Sequence, residues 1–280
     1  MRFILSAEEV VALQAEKHVT FVDCRFQLDD AYAGYEKYKE AHLPGAIYLD
    51  LEKDLSGEVE ESGGRHPMPN LSSLVHTLEQ KGVSDQSVLV VYDDAQCPVA
   101  SRCFWLLKVL GHQQVYILDG GYEAWRQQQL PVSSAIASRS PVTYKQDVQQ
   151  EWVASQEEIK QSIENENVTL MDARSYERYA GWSEPVDSKA GHIPSAVNIP
   201  WNTLINEEGN WKSIQQLRSR FTHLNENGTH IVYCGSGVTA MPVAVALKEL
   251  GFKYVKVYVG SFSDWISDDQ NAIAVLPKYK

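Results

Sequence analysis

The sequence contains no apolar run approaching the ~20 residues needed to cross a bilayer. Its first residues, Met1-Arg2-Phe3-Ile4-Leu5-Ser6, are too short an apolar stretch for a secretory signal, and acidic residues follow at once. The expectation is a cytoplasmic protein without membrane association. Cysteine is scarce, and Cys24, Cys97, Cys103 and Cys234 form no CxxC pair. That spacing argues against a disulfide framework or a structural zinc site. The eight histidines include no HExxH, and neither a P-loop nor a GxGxxG is present. No metal and no cofactor are therefore expected. Positive charge is also in short supply. With 25 Lys and Arg against 37 Asp and Glu, the formal net charge is −12, and no dense basic patch offsets it. Nucleic acid and anionic membrane are poor partners for such a chain.

What is present is enough for two ordinary cores: 280 residues, of which 44% are hydrophobic and 10% aromatic. The same landmarks occur twice in the same order. Phe21-Val22-Asp23-Cys24-Arg25 recurs as Leu170-Met171-Asp172-Ala173-Arg174, and His42-Leu43-Pro44-Gly45-Ala46 as His192-Ile193-Pro194-Ser195-Ala196. Val90-Val91-Tyr92 recurs as Ile231-Val232-Tyr233, and Gly120-Gly121-Tyr122-Glu123-Ala124-Trp125 as Gly260-Ser261-Phe262-Ser263-Asp264-Trp265. The spacing between copies drifts only from 149 residues at the aspartates to 140 at the tryptophans, as two homologous domains with different loops would give. Each half alternates short apolar strands with helical segments, the pattern of an α/β fold with a parallel sheet flanked by helices. In the first half the pattern predicts helices over 6–18, 71–80 and 101–110, and strands over 19–22, 46–48, 88–92 and 115–118. The domains are expected at 1–135 and 150–280, joined by a polar linker over 136–149.

The chemistry concentrates where the halves differ. Ile231 to Tyr233 form a strand, and Met241 to Leu250 a helix with Pro242 in its first turn and Gly251 past its end. Cys234 therefore opens a glycine-spaced turn, Gly235-Ser236-Gly237-Val238-Thr239, that leads into a helix N-terminus. Backbone N–H groups of such a turn can cradle an anion: the thiolate itself, or a group it carries. A helix terminus supplies only about 0.3–1 kcal/mol, so further donors or a cation are needed to hold a thiolate. The alternative is an inert small hydrophobe at a strand end. In the first half the register position of Cys234 is Asp93, followed by Asp94, and two carboxylates repel an anion. Cys97, beside Pro98 and lacking paired glycines, reads as structural.

With these residues in view, the chain resembles the tandem-domain rhodanese superfamily of sulfurtransferases over nearly its whole length. The resemblance rests on the paired Asp-x-Arg strand ends, the two His-Ile/Leu-Pro-x-Ala segments and the cysteine after a strand of the second half. It implies an inactive first domain and a second domain whose cysteine cycles through a persulfide. Within the family, Cys-Gly-Ser-Gly-Val-Thr-Ala is similar to the loop of 3-mercaptopyruvate sulfurtransferases, whereas thiosulfate enzymes place basic residues directly after the cysteine. The resemblance implies Cys234 as nucleophile, Ser236 as hydrogen-bond or proton donor to a pyruvate enolate, and Gly235, Gly237, Val238 and Thr239 as the cradle. It also implies Arg178 as the substrate-carboxylate ligand. His66, with Glu52 or Asp50, would polarise the serine. A second substrate arginine of the family would fall near position 187, where this chain has Asp187. The implied partners are a small-molecule sulfur donor and a thiol acceptor, either thioredoxin or a low-molecular-weight thiol. Three other readings compete: a thiosulfate enzyme of the same mechanism, a non-catalytic tandem binding module, and a Cys-x5-Arg phosphatase. The last requires an arginine at position 240, which is Ala.

Overall fold

In a computed structural model the protein is described over residues 2–95 and 98–278; Cys97, read above as structural, falls outside them. Two compact units result. The first comprises Met1–Gly57, Pro69–Gln150 and Ile205–Trp211, and the second Glu58–Met68, Glu151–Leu204 and Lys212–Lys280. Two short segments thus belong to the unit that neighbouring sequence would not suggest.

The first unit runs β1 (Ile4–Leu5), α1 (Ala7–Glu16), β2 (Val19–Asp23), α2 (Ala33–Glu40), β3 (Ile47–Tyr48), α3 (Leu71–Gln80), β4 (Val88–Tyr92), α4 (Pro98–Val109), β5 (Val115–Leu118) and α5 (Gly121–Gln127). All residues of β2 and β4 are buried, because a parallel sheet covered on both faces selects continuous apolar runs rather than alternation. The sheet order is β1-β5-β4-β2-β3, every pairing parallel. Ser6 caps α1 in a reciprocal capping box with Glu9, the pattern its Ser-x-x-Glu spacing calls for. Three elements escaped the sequence pattern. Strand β1 is only two residues long, α2 buries only Gly34 and Tyr38, and α5 is seven residues that begin on a glycine, so none shows a readable period. Helix α4 starts at Pro98 rather than 101, as proline suits a first turn.

The segment 136–149 has no helix or strand of its own, yet it is not a loose tether. Arg139 donates to Thr20 Oγ1 and to the Gly45 carbonyl, both at 2.8 Å. The Val142 N–H donates to the Glu79 carbonyl at 3.1 Å, and buried Tyr144 is hydrogen-bonded to His112 at 2.9 Å. Such polar contacts anchor a segment that composition alone marks as solvated.

The second unit runs α6 (Gln156–Ser162), β6 (Val168–Asp172), α7 (Tyr176–Ala180), β7 (Val197–Asn198), α8 (Ile214–Arg220), β8 (Thr229–Tyr233), α9 (Met241–Glu249), β9 (Tyr254–Val257) and α10 (Ser261–Trp265). Its sheet order, β7-β6-β8-β9, repeats β3-β2-β4-β5. In place of a β1 counterpart, a single parallel bridge joins Val153 to Val257. Asp23 and Asp172, at the ends of β2 and β6, form buried ion pairs with Arg25 (2.7 Å) and Arg174 (2.6 Å). Each arginine also donates at 2.6 Å to a backbone carbonyl, that of Ala41 or Gly191. His42 and His192 hold the Tyr38 and Tyr179 carbonyls at 2.6 and 2.7 Å. These repeated polar clasps tie the strand ends to the turns beyond them. Trp125 and Trp265 are core residues.

Candidate active site

Strand β8 is paired on both sides, with β6 and β9, which fixes where Cys234 emerges at its end. The thiol is almost wholly buried, at 1% exposure. Its backbone is clamped by α10 and the turn before it: the Cys234 N–H donates to Ser261 Oγ at 3.1 Å, and its carbonyl accepts the Phe262 N–H at 2.9 Å. The Ser263 N–H donates to the Gly235 carbonyl at 3.0 Å. In this frame the Gly237 N–H donates to Cys234 Sγ at 3.1 Å, so the glycine turn does deliver an amide to the sulfur. Gly237 has φ +77°, and a Cβ there would lie 2.1 Å from the Val259 carbonyl oxygen. Only glycine fits. Val238 is buried and its carbonyl accepts the Met241 N–H at 3.2 Å, opening α9, while Thr239 is half-buried.

Two guanidinium groups stand over Gly235. A Cβ on that residue would be 2.9 Å from Arg65 Nη2, 3.3 Å from Arg178 Nη2 and 3.5 Å from Arg178 Nη1. Arg178 lies on α7 and is held by Glu184, with Nε 3.0 Å from both carboxylate oxygens, and by Asp187 Oδ2 at 2.7 Å from Nη2. The other oxygen of Asp187 pairs with Arg65 Nη1. Burial works against the charge of Glu184, but hydrogen bonds from Arg178 and from the Asp187 and Val186 N–H groups hold its carboxyl below the ordinary range. Glu184 also reaches Arg174 at 3.2 Å, which connects the site to the clasp at the end of β6.

Arg65 and His66 arrive on the segment 58–68 of the second unit. The Gly63 N–H donates to Asp264 Oδ1 at 2.6 Å and the Arg65 N–H to Ser263 Oγ at 3.1 Å, so the segment is seated on α10. Gly64, at φ +79°, would place a Cβ 2.3 Å from the Gly260 carbonyl oxygen, which accounts for the Gly63-Gly64 pair. His66 Nδ1 lies 2.9 Å from Ser236 Oγ. The structure therefore brings together Cys234, Gly235, Ser236, Gly237, Arg178 and His66. Glu52 is exposed on the first unit, where its N–H donates to Asp50 Oδ1 at 2.9 Å; that same oxygen receives the Lys53 N–H. Arg65, Glu184 and Ser261 were missed in the sequence. Arg65 is the residue before His66 in a Gly-Gly turn, which is a signal for a tight loop but not for where the loop lies. Among the described residues no group of His, Cys, Asp and Glu could hold a metal ion.

The first unit shows what the loop becomes without the cysteine. Asp93 keeps the clamp, its carbonyl accepting the Tyr122 N–H at 2.8 Å. Its side chain, however, accepts the Val99 and Ala100 N–H groups at the start of α4, both at 3.1 Å. A carboxylate of the protein itself occupies that helix N-terminus.

Comparison with known proteins identifies the family. The sequence pattern of the rhodanese-like domain matches residues 6–128 and again 155–268. A Pseudomonas aeruginosa protein named "Probable 3-mercaptopyruvate sulfurtransferase" is 35% identical over 276 residues, covering 97% of each chain. The thiosulfate sulfurtransferase of Rattus norvegicus is 30% identical over 239 residues, covering 82% of this chain and 79% of its own. The crystal structure of SseA from Escherichia coli, described among 3-mercaptopyruvate sulfotransferases, superposes with a TM-score of 0.82 at 28% identity, covering 94% of this chain and all of that one. With both halves matched and the fold shared, the chain belongs to the rhodanese family as a tandem of two rhodanese-like domains.

Proposed function

We propose that the protein is a sulfurtransferase that takes sulfur from 3-mercaptopyruvate onto Cys234 as a persulfide and passes it to a thiol. The observation that carries this is the loop itself: an amide aimed at Cys234 Sγ, guanidinium groups over Gly235, and Ser236 paired with His66. Arg178 offers the donor's carboxylate a planar, charged partner. The Cys234 thiolate attacks the donor sulfur; the new S–S bond takes the cysteine's electron pair, and the C–S pair leaves on carbon as a pyruvate enolate. Ser236 donates a proton to that enolate and His66 restores it, so pyruvate departs and Cys234 carries an S–SH group. An acceptor thiolate then attacks the outer sulfur, and the S–S electron pair returns to Cys234. Thioredoxin or a low-molecular-weight thiol suits this step, and cyanide serves as an assay acceptor.

A serine–histidine donor favours a leaving group that needs a proton, which a pyruvate enolate does and sulfite does not. The names of the Pseudomonas and Escherichia relatives point the same way, whereas that of the rat relative keeps thiosulfate as the alternative donor. The free thiols of Cys24, Cys103 and Cys234 suit a reducing cytoplasm. Among the described residues no helix is long and apolar enough to cross a membrane. The test is Cys234→Ala with 3-mercaptopyruvate as donor. Wild type gains one sulfur atom by intact mass and forms pyruvate; retention of turnover by the variant would overturn the proposal. Comparing kcat/KM for 3-mercaptopyruvate and thiosulfate on one preparation decides the donor.

A further inference from the structure

The cluster over Gly235 has a feature that position 187 alone would not suggest. Asp187 is only 1% exposed and sits between two cations, accepting from Arg65 Nη1 through one oxygen and from Arg178 Nη2 through the other. Glu184, 3% exposed, takes up Arg178 Nε. These contacts consume one edge of each guanidinium. Among the described residues, Arg65 Nη2 and Arg178 Nη1 donate to no protein acceptor, and both lie within contact distance of the space a Gly235 side chain would fill. Their side chains remain 35% and 21% exposed. Two N–H edges from different segments, locked in place by one buried carboxylate, thus flank the residue next to the nucleophile.

Resting on the sulfurtransferase proposal above, we infer that Arg65 is the second carboxylate-binding cation of the donor site, and that Asp187 is the positioning residue that sets Arg65 and Arg178 side by side. A carboxylate bridging Arg65 Nη2 and Arg178 Nη1 receives one charge-assisted hydrogen bond from each. The cation absent from position 187 is supplied by segment 58–68, and the acid at 187 is its counterpart, so charge is exchanged between two positions rather than lost. The same segment carries His66. One seating of that segment on α10 therefore places both the carboxylate ligand and the group that serves Ser236. The local balance also favours a monoanion. Arg65 and Arg178 are offset by Asp187 and Glu184, which leaves directed N–H groups without the net positive field that a dianion such as thiosulfate exploits.

The experiment compares 3-mercaptopyruvate with mercaptoacetone, which has the same thiol and ketone but no carboxylate. In wild type the ratio of kcat/KM for the two donors is high. Arg65→Gln lowers that ratio about 10- to 100-fold, the loss expected for a hydrogen bond to a charged group, and acts mainly through KM. The double variant Arg65→Gln/Asp187→Asn keeps the low ratio, because the ligand is still missing. Arg65→Asp/Asp187→Arg restores the ratio, because the guanidinium returns on the other side of the pair. If the double neutral variant recovers the wild-type ratio, Arg65 merely neutralises Asp187 and the inference is overturned; an unchanged ratio in Arg65→Gln overturns it equally. A wild type that forms no persulfide with 3-mercaptopyruvate overturns the underlying proposal as well, and is recognised by the mass assay before any variant is compared. Melting temperatures of all variants separate loss of fold from loss of donor.

Discussion

Gly235 and Gly237 lie two residues apart, and the structure assigns them opposite consequences on substitution. At Gly237 an added methyl group meets backbone, the Val259 carbonyl oxygen at 2.1 Å, and φ is +77°. The left-handed conformation alone costs about 1–2 kcal/mol for an L side chain, and a backbone contact that short cannot be relieved by a rotamer change. Gly237→Ala is expected to lower stability by several kcal/mol, on the order of the larger single-site effects, and to lose activity with it. Gly235 does not have a positive φ, and the three atoms nearest its added methyl group are the guanidinium nitrogens of Arg65 and Arg178, at 2.9–3.5 Å. Those side-chain ends need shift only a few tenths of an ångström and can do so while still paired with Asp187, so Gly235→Ala is expected to change stability by less than about 1 kcal/mol. The methyl group then fills the space between the two N–H edges and the donor's carboxylate. With a charged hydrogen bond contributing about 1.5–3 kcal/mol, kcat/KM for 3-mercaptopyruvate falls at least about 10-fold. Urea denaturation, steady-state kinetics and donor-dependent mass gain on the two variants decide the matter. A Gly235→Ala enzyme with wild-type kcat/KM would refute the placement of the donor beneath the two arginines.

Ser236→Ala and His66→Gln should each lower kcat about 100-fold, and the double variant no further than the worse single, since the two act as one unit; additive losses in kinetics would separate them. Asp172→Ala leaves Arg174, whose side chain is 1% exposed, without its main counter-ion, at a cost of about 3–5 kcal/mol; a loss under about 1 kcal/mol by urea denaturation would contradict a structural role for the clasp. Burial, the largest influence in each case, lowers the proton affinity of His112, His192 and His230 below the ordinary imidazole value of 6.5. Below pH 6.5 the unfolded chain binds protons that these folded imidazoles do not. Their contribution is therefore complete above 6.5 and is lost as pH falls through the folded values. Stability measured by denaturant titration should drop from pH 7 toward pH 5, and histidine NMR signals should include three that titrate below 6.5; a flat profile would count against the buried-neutral assignment.

Local rules acted where the sequence is locally consistent. A short, β-branched apolar run such as Val88–Tyr92, bounded by turn residues, reads as a strand of a doubly covered sheet, and Ser6 with Glu9 or Pro242 with Gly251 mark helix ends through backbone hydrogen bonding that needs no distant partner. The repeat supplied topology, because two copies of one pattern must fold alike, and Cys234 was visible because its glycine-spaced turn has no equivalent at Asp93. Strand β1 and helices α2 and α5 stayed hidden, β1 and α5 being too short and α2 too polar to carry a period. Segment 136–149 looked like a tether because its anchors, Thr20, Gly45 and Glu79, are far away in sequence.

The sequence by itself determined the two-domain α/β class and singled out Cys234 as the candidate nucleophile, with the loop that holds it. Only the tertiary structure decided which charges meet at that loop. Asp187 read alone is a missing cation, but folded it is the buried link between Arg178 and an arginine 122 residues away. An ion pair depends on distance in space, and nothing in the spacing of Arg65 and Asp187 along the chain encodes the seating of segment 58–68 on α10 that brings them together.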